Sequence, residues 1–273
     1  MGIPISMVDA FTERPFRGNP AGVCLPHGEM EPAWMQAVAA EMNLAETAFL
    51  RPRESGGFDL RWFTPRVEVD LCGHATLASA HRLWEEGLPA GPIRFHTRSG
   101  VLTASREGDR IELDFPSAPP RATPPPEGLE QALGAPFVWT GMNAVGDLVV
   151  EMPDERAVRD LEPDFVALQR IPVRGVAATA AAERADAGHD FVSRFFAPRV
   201  GIDEDPVTGS AHCALAPFWS DRLGREALVG WQASERGGVV RTRVVGDRVV
   251  LGGHAVTVWK GELLHEVEKE GLR

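Results

Sequence analysis

The sequence predicts an α+β fold of two pseudo-symmetric domains, each a curved sheet wrapped around a central helix. Predicted strands outnumber helices, and Phe63–Asp70 matches Phe196–Asp203 at five of eight positions. Each copy precedes a glycine that opens a helix rich in small residues. The offset of 133 residues is longer than the roughly 20 to 50 residues of a solenoid repeat, so it indicates two structural halves. Chance similarity over so short a stretch is the alternative.

The first half of the chain alternates short strands with two helices. Apolar and β-branched runs bounded by turn residues predict the strands, and apolar residues at helical spacing after Pro32 predict the first helix. The predicted strands are Ile3–Val8, Gly22–Leu25, Thr47–Arg51, Phe58–Phe63, Ile93–Thr97, Val101–Arg106 and Arg110–Phe115, and the predicted helices are Pro32–Met42 and His74–Glu86.

The second half repeats this order by the same criteria. Its predicted strands are Phe137–Val138, Asp147–Met152, Val173–Ala178 and Phe191–Phe196, its helices are Glu155–Leu161 and Ser210–Leu223, and hairpins fill Val239–Val258. The offset grows from 133 to 136 between the matched segment and its helix, which places a three-residue insertion around Asp205.

A proline-rich stretch in the middle of the chain predicts a boundary between the two domains. Residues 115–128 read FPSAPPRATPPPEG, and prolines cannot donate the backbone hydrogen bonds of a helix or a central strand. We expect a first domain over residues 1–116, a linker over 117–128 and a second domain over 129–261. A return of the tail, 262–273, to the first domain is an open alternative.

The composition favours a cytoplasmic protein that acts on a small molecule. The net charge is -11 and no block of five basic residues occurs, so we expect no nucleic-acid or anionic-membrane partner. No stretch approaches the roughly 18 apolar residues of a membrane span, and no leader sequence is evident. Three scattered cysteines are too few for a disulfide framework or a zinc site built on closely spaced pairs, so we expect no metal. Cys24 and Cys213 are expected to be small buried residues.

The two small-residue helices suggest where a ligand binds. If both helix starts face one cleft, their backbone N–H groups and macrodipoles favour an anion such as a substrate carboxylate. Gly73 and Gly209 would let the backbone approach that ligand. A single glycine before a helix is more often an ordinary turn, and the matched pair is the stronger observation.

Three charged or titratable residues are candidates for the chemistry of the cleft. Glu46 lies between an amphipathic helix and an apolar strand, where burial suits acid/base work. His74 follows Gly73 in the first helical turn, which favours a neutral imidazole. Asp205 lies in the insertion before the second helix. Each has a simpler explanation taken alone: a solvated loop acid for Glu46, a cap or core residue for His74, and an Asx-turn or N-cap for Asp205.

At these residues the sequence resembles the PhzF-like family, whose fold is that of diaminopimelate epimerase. The matching stretches span nearly the whole chain: Val8–Thr12, Pro15–Ala21, Asn43–Phe49, Arg61–Pro65, Cys72–Thr76, Glu204–Ala211 and Gly253–Leu263. The resemblance implies that Glu46 transfers the proton, that His74, Asp205 and Ser210 surround the substrate, and that Gly73 and Gly209 supply backbone contacts. Cys72 and Thr208 are possible secondary site residues.

The resemblance also implies the class of reaction and the oligomeric state. The family's best-known member isomerises 2,3-dihydro-3-hydroxyanthranilate in phenazine assembly by acid/base proton relocation, without metal or organic cofactor, as a homodimer. A small cyclic amino or hydroxy acid with a carboxylate is therefore the expected substrate class. Cys72 and Ala75 flank the Gly-His pair where the phenazine enzyme has Ala and Pro, so the chain looks like the broader branch of the family.

Two alternatives to this function stay open. A metabolite-binding protein could keep the cleft without turnover, although a pure binder has no need of a proton-transfer carboxylate. A two-cysteine racemase, like the epimerase relatives, is disfavoured: Cys72 holds the first position, but counting back from Gly209 places Pro206 at the second.

Overall fold

The computed structural model describes residues 2–26, 28, 30–88, 91–184 and 186–264. The strands are β1 (Ile3–Ala10), β2 (Asn19–Cys24), β3 (Glu46–Pro52), β4 (Phe58–Phe63), β5 (Glu68–Val69), β6 (Ile93–Thr97), β7 (Gly100–Glu107), β8 (Arg110–Pro116), β9 (Arg121–Ala122), β10 (Trp139–Met142), β11 (Asp147–Glu151), β12 (Gly175–Ala181), β13 (Phe191–Ala197), β14 (Ile202–Asp205), β15 (Ala227–Gln232), β16 (Gly238–Val245), β17 (Arg248–Gly253) and β18 (Ala255–Leu263). The helices are α1 (Pro32–Met42), α2 (Gly73–Glu85), α3 (Leu129–Leu133), α4 (Glu155–Arg159), α5 (Phe165–Leu168) and α6 (Gly209–Leu223). Within the described ranges, no helix combines the length and hydropathy needed to cross a membrane.

The chain divides into two compact units whose boundaries differ from the predicted ones. The first unit comprises residues up to Leu113 and from His254 onward, and the second comprises Asp114–Gly253. The prolines of residues 117–128 have no backbone N–H, but the residues between them do, and these form hydrogen bonds. The Ala118 N–H donates to the Cys213 carbonyl oxygen, and β9 pairs with β10. The segment expected to be a linker therefore belongs to the second unit.

The chain returns to the first unit earlier than expected. Strand β18 pairs antiparallel with β1. Residues 255–261, which the sequence analysis placed in the second domain, therefore belong to the first unit. The predicted tail, 262–273, overlaps β18 at its first two residues, while residues 265–273 lie outside the described chain.

In the first unit, the strands follow one order of pairing. Strand β1 pairs antiparallel with β2, and β2 pairs parallel with β3. Strand β3 is antiparallel to β4, which pairs antiparallel with β5 and parallel with β6. Strands β6, β7 and β8 continue as an antiparallel meander.

The second unit repeats the same order of pairing. Strand β10 pairs antiparallel with β11, β11 parallel with β12, and β12 antiparallel with β13. Strand β13 pairs antiparallel with β14 and parallel with β15, and β15 leads into the β16 and β17 meander. Helix α2 follows β5 and α6 follows β14. The internal repeat predicted from Phe63–Asp70 and Phe196–Asp203 is thus a repeat of topology.

Each unit places its small-residue helix against several strands. Helix α2 packs on β1, β2, β3 and β18, and α6 packs on β11, β15, β16 and β17. The approach to α6 is close enough that a Cβ at Gly230 would lie 3.0 Å from Nε2 of His212. Ala75 and Ala78 of α2, like Ala211 and Ala214 of α6, are buried, because only short side chains allow sheet and helix to approach in this way.

The predicted strand at Phe137–Val138 is wrong. The ladder begins at Trp139, opposite Glu151, and Val138 is exposed. Gly141, inside β10, weakened the strand signal there. Strands β5, β9 and β14 and helices α3 and α5 are too short to produce a periodic pattern. Cys24 and Cys213 are buried and unbridged, as predicted, and burial raises the pKa of each thiol to about 12.

Candidate active site

Glu46 begins β3, immediately after the turn that ends α1. Helix α1 stops at Asn43, which has a left-handed conformation with φ of 49° and donates its N–H to the Ala39 carbonyl oxygen. Asparagine takes this conformation more readily than other non-glycine residues. The turn brings Glu46 into the parallel pairing with β2, opposite Ala21. Its side chain is 12% exposed, so the carboxylate is largely shielded from water.

Cys72, Gly73 and His74 form the start of α2 and meet Glu46 there. Cys72 is the extended N-cap, and Gly73 is the first helical residue. The Cys72 Sγ lies 3.5 Å from Nδ1 of His74. On the other side of the ring, Nε2 of His74 lies 3.3 Å from Oε2 of Glu46. The first unit therefore brings together four of the predicted site residues.

Asn19 orients the imidazole of His74, and the sequence analysis did not single it out. Its Nδ2 lies 3.2 Å from Nδ1 of His74. An amide nitrogen only donates, so Nδ1 accepts and the proton of the neutral ring lies on Nε2, on the side of Glu46. Burial lowers the pKa of His74 to about 3, so the ring is neutral at physiological pH. Asn19 lies within the stretch Pro15–Ala21 that carries the resemblance, which is the signal that could have identified it.

The turn between β1 and β2 places Asn19. Gly18 has φ of 64°, and a Cβ there would overlap the carbonyl oxygen of Ala10. Phe11 and Phe16 also have positive φ values, 62° and 67°, which bulky residues rarely adopt. The N–H of Phe16 donates to Oδ2 of the buried Asp9 at 2.6 Å. Such conformations persist where surrounding contacts enforce them, often near functional sites.

The same three side chains offer a set of possible metal ligands. Ligand atoms of Glu46, Cys72 and His74 lie within 4.8 Å of one another, and oxygen, sulfur and nitrogen together are a set that zinc accepts. The spacing of the cysteines alone predicts no zinc site, because Glu46 completes this set from another element of the fold. That the site works without metal stays a prediction from the family resemblance.

In the second unit, Asp205 and Thr208 are joined in a buried hydrogen-bond network. The three-residue insertion lengthens β14, so that Asp205 lies opposite Phe195. The Thr208 Oγ1 donates to Oδ2 of Asp205 at 2.5 Å. Gln232 of β15 closes the network: its Nε2 donates to the Asp205 carbonyl oxygen at 2.7 Å and to Thr208 Oγ1 at 3.1 Å. Its Oε1 accepts the Thr208 N–H at 2.8 Å. No sequence pattern pointed to Gln232.

Ser210 contacts an arginine that the sequence analysis also missed. Nη2 of Arg174 lies 3.2 Å from Ser210 Oγ and 2.5 Å from Oδ2 of Asp147. Burial raises the pKa of the Asp147 carboxyl, against the opposing effects of Arg174 and Asn143. Arg174 directly precedes β12, and no sequence pattern pointed to it.

The two helix starts correspond residue by residue. Cys72 and Thr208 are the N-caps, Gly73 and Gly209 the first helical residues, and His74 and Ser210 the second. The residue at the second cysteine position is therefore Thr208, and the assignment of Pro206 to that position was wrong. Neither threonine nor proline carries a thiol, so a two-cysteine racemase is disfavoured with Thr208 at that position as well.

Comparison with known proteins agrees with this architecture. The pattern of the PhzC-PhzF family, phenazine biosynthesis-like protein, matches residues 8–261. An uncharacterized isomerase of Halalkalibacterium halodurans is 49% identical over 267 residues, which cover 97% of this chain and 99% of the relative. The crystal structure of a phenazine biosynthesis protein of the PhzF family from Enterococcus faecalis has a TM-score of 0.92 at 40% identity, over 97% of this chain and 100% of that chain.

A more distant likeness concerns the fold alone. The crystal structure of a hydroxyproline epimerase from Agrobacterium vitis has a TM-score of 0.62 at 12% identity, over 96% of this chain and 92% of that chain. These likenesses confirm the predicted diaminopimelate epimerase-like fold. The relative named as an uncharacterized isomerase agrees with the expected place in the broader branch. The chain therefore belongs to the phenazine biosynthesis-like PhzC-PhzF family and is an isomerase of that family.

Proposed function

We propose that this isomerase relocates a proton on a small carboxylate substrate, with Glu46 as general acid and base and without a cofactor. The supporting observation is the 3.3 Å approach of Oε2 of Glu46 to Nε2 of a buried, neutral His74. Proton relocation needs a group that can take a proton from one atom and return it at another. A largely buried carboxylate at the start of a strand is such a group.

The neutrality of His74 matters for this role. A cation beside Glu46 would hold the carboxyl in its ionised form, whereas a neutral imidazole places no full opposing charge beside it. Glu46 can therefore pass through both protonation states in one turnover. Asn19 supports this arrangement because its contact with Nδ1 keeps the ring proton on the side of Glu46.

Each unit offers, at the start of its small-residue helix, a proposed contact for a carboxylate. In the first unit, the backbone at Gly73 and His74 offers N–H groups and the positive end of the α2 dipole. In the second unit, Ser210 at the start of α6 lies next to the guanidinium of Arg174, so this helix start also favours an anion. Asp205 is the proposed partner of a substrate amino or hydroxyl group, a role that rests on the family resemblance.

The preferred substrate class is a cyclic amino or hydroxy acid in which the reacting carbon is activated by conjugation. The test is proton NMR in heavy water with 2,3-dihydro-3-hydroxyanthranilate and a panel of such acids. Wild-type protein is expected to isomerise one compound or to exchange one of its carbon-bound protons for deuterium. The Glu46→Gln variant should be slower by about 10² to 10⁴, and Glu41→Gln, on an exposed position of α1, is the control.

The same experiment separates the alternatives. Equal rates for wild type and Glu46→Gln would remove Glu46 from the chemistry. Loss of exchange in Cys72→Ser together with retention in Glu46→Gln would instead assign the proton transfer to the thiol. Saturable binding of a panel compound without exchange of any of its protons would support a metabolite-binding protein.

A further inference from the structure

The ion pair between Arg174 and Asp147 in the second unit uses one nitrogen and one oxygen. Nη2 of Arg174 contacts Oδ2 of Asp147. Nε of Arg174 and Oδ1 of Asp147 are both buried, and neither has a hydrogen-bond partner within the described ranges. A two-pronged contact between guanidinium and carboxylate would give each of these atoms a partner. The guanidinium is therefore turned away from the geometry that would pair it best.

Two other arginines of the same chain show the two-pronged geometry. Nε and Nη2 of Arg61 each lie 2.7 Å from one oxygen of Glu68. Nε and Nη2 of Arg194 each lie 2.8 Å from one oxygen of Glu204. Arg174 departs from this pattern although its carboxylate partner is the most deeply buried of the three. Stabilisation of the fold by the ion pair does not explain the departure.

The turned guanidinium reaches Ser210 as well as Asp147. Nη2 carries two hydrogens, and it lies within bonding distance of Oδ2 of Asp147 and, at 3.2 Å, of Oγ of Ser210. An arginine only donates, so the Ser210 oxygen accepts. The hydroxyl proton of Ser210 therefore points away from the guanidinium. Among the residues that the structure describes, none accepts that proton.

Asp147 and its neighbours hold the guanidinium in this orientation. The Asp147 side chain is 1% exposed, and its backbone N–H donates to Oδ1 of Asn143 at 2.9 Å. The ring centroid of Phe195 lies 5.7 Å from Cζ of Arg174, a cation–π distance. A buried carboxylate with an unpartnered oxygen lowers stability. Asp147 thus fixes Arg174 at a cost to the fold.

We propose that Arg174 is a positioning residue that acts through Ser210, with Asp147 as its anchor: it fixes the Ser210 hydroxyl as a hydrogen-bond donor to a carboxylate of the ligand. This role rests on the proposed function, in which the start of α6 contacts a carboxylate. A serine hydroxyl can rotate to donate or to accept, whereas a carboxylate only accepts. A hydroxyl already held in the donating orientation binds that carboxylate without the cost of ordering.

The test uses 3-hydroxyanthranilate as the probe. Its aromatic ring cannot undergo the proposed proton relocation, so calorimetric titration of the full chain measures binding alone. Arg174→Lys keeps the positive charge beside Asp147 but replaces the planar fork by a single ammonium group. It should bind the probe about tenfold more weakly than wild type. Binding of 2-aminophenol, which lacks only the carboxylate, should stay within about twofold. Arg170→Lys, at an exposed position of the same unit, is the control.

A double-mutant cycle shows whether Arg174 acts through Ser210. Ser210→Ala alone should weaken probe binding about tenfold. Adding Arg174→Lys to it should cost no more than about twofold, because the hydroxyl to be positioned is gone. Arg174→Met with Asp147→Asn leaves the net charge unchanged and repeats the cycle for the case that lysine keeps both contacts. Urea unfolding confirms that each variant is folded under the conditions of the titration.

Three outcomes would overturn the proposal. The first is the absence of saturable probe binding to wild type, which would remove the carboxylate contact at Ser210. The second is a combined loss of about 100-fold in the cycle, the product of two independent effects. The third is wild-type affinity in both Arg174→Lys and the Arg174→Met, Asp147→Asn pair. The proposed function fails separately, through undiminished proton exchange in Glu46→Gln, and the cycle with the unreactive probe does not depend on that result.

Discussion

Nε2 of His74 lies 3.3 Å from Oε2 of Glu46. Glu46 begins β3 and His74 lies in α2, so two strands, β4 and β5, come between them in the chain. The parallel pairing of β2 and β3 places Glu46 at the strand start, and α2 begins beside it. Because both positions are fixed by regular backbone structure, the contact depends on few flexible torsions. A site built on strand and helix termini in this way holds its geometry more closely than one built on loops.

Shortening the acid is expected to impair turnover more than binding. Glu46→Asp keeps the charge but withdraws the carboxylate by one methylene group, and displacement of a reacting group by about 1 Å can cost 10²-fold in rate. Steady-state kinetics on a substrate identified by NMR should show kcat reduced by about that factor, with KM little changed. Glu41→Asp, on the exposed face of α1, is the matched control. A Glu46→Asp variant within twofold of wild type would contradict the proposed geometry.

Asn19 is predicted to be a positioning residue that acts through the ring of His74. Asn19→Leu keeps the size of the side chain but removes the Nδ2 contact with Nδ1. We expect kcat to fall about 10-fold to 100-fold, as is common when the partner that orients a functional imidazole is lost. The decisive readout is the ¹⁵N spectrum of His74, in which the wild-type ring should be protonated at Nε2 only. An unchanged tautomer in Asn19→Leu would assign Asn19 a merely structural role.

The hydroxyl of Thr208 is predicted to hold the start of α6 together. Thr208→Val preserves shape but leaves Asp205 Oδ2 and Gln232 Nε2 each without one of their present partners. Loss of buried hydrogen-bond partners costs about 1–3 kcal/mol, so the free energy of unfolding in urea should fall by that amount. Thr208→Ser, which keeps the hydroxyl, should recover most of the loss. Equal stabilities of the valine and serine variants would show that the network contributes little.

Local patterns in the sequence predicted the parts of this molecule that have strong periodicity. Helix α1 and strands β4 and β6 have the predicted bounds, since apolar spacing and flanking turns mark both ends. The repeated segment at Phe63 and Phe196 correctly indicated a repeated topology, because the same pairing order needs the same strand-turn-helix sequence in each half.

The residues that were missed act through contacts distant in the chain. Gln232 reaches Thr208 from another strand, and Arg174 reaches Ser210 over 36 residues, so neither has a local signature. The domain boundary failed for a related reason. The proline content predicted a linker. The backbone N–H groups of the residues between the prolines nevertheless form hydrogen bonds with the second unit, as that of Ala118 does with the Cys213 carbonyl oxygen.

Two buried imidazoles should make the protein sensitive to acid. Burial lowers the pKa of His74 to about 3, and that of His212 to about 4 despite its hydrogen bond to the Thr208 carbonyl oxygen. Each folded-state pKa lies below the unfolded value near 6.5. The unfolded chain therefore takes up protons first as the pH falls, and stability that is present above pH 6.5 is lost progressively toward the folded-state pKa values.

The size of this effect can be tested at the histidine that lies outside the proposed chemistry. His212→Asn keeps a donor near the Thr208 carbonyl oxygen, which Nδ1 contacts at 2.8 Å in the wild type, but cannot titrate. Between pH 7.5 and pH 5, each buried imidazole should cost about 2 kcal/mol of unfolding free energy. The variant should therefore lose less stability than wild type over this range, by about that amount, whatever its stability at pH 7.5. Urea unfolding at the two pH values measures the difference, and an identical pH dependence in variant and wild type would mean that His212 is not neutral by burial in the native state.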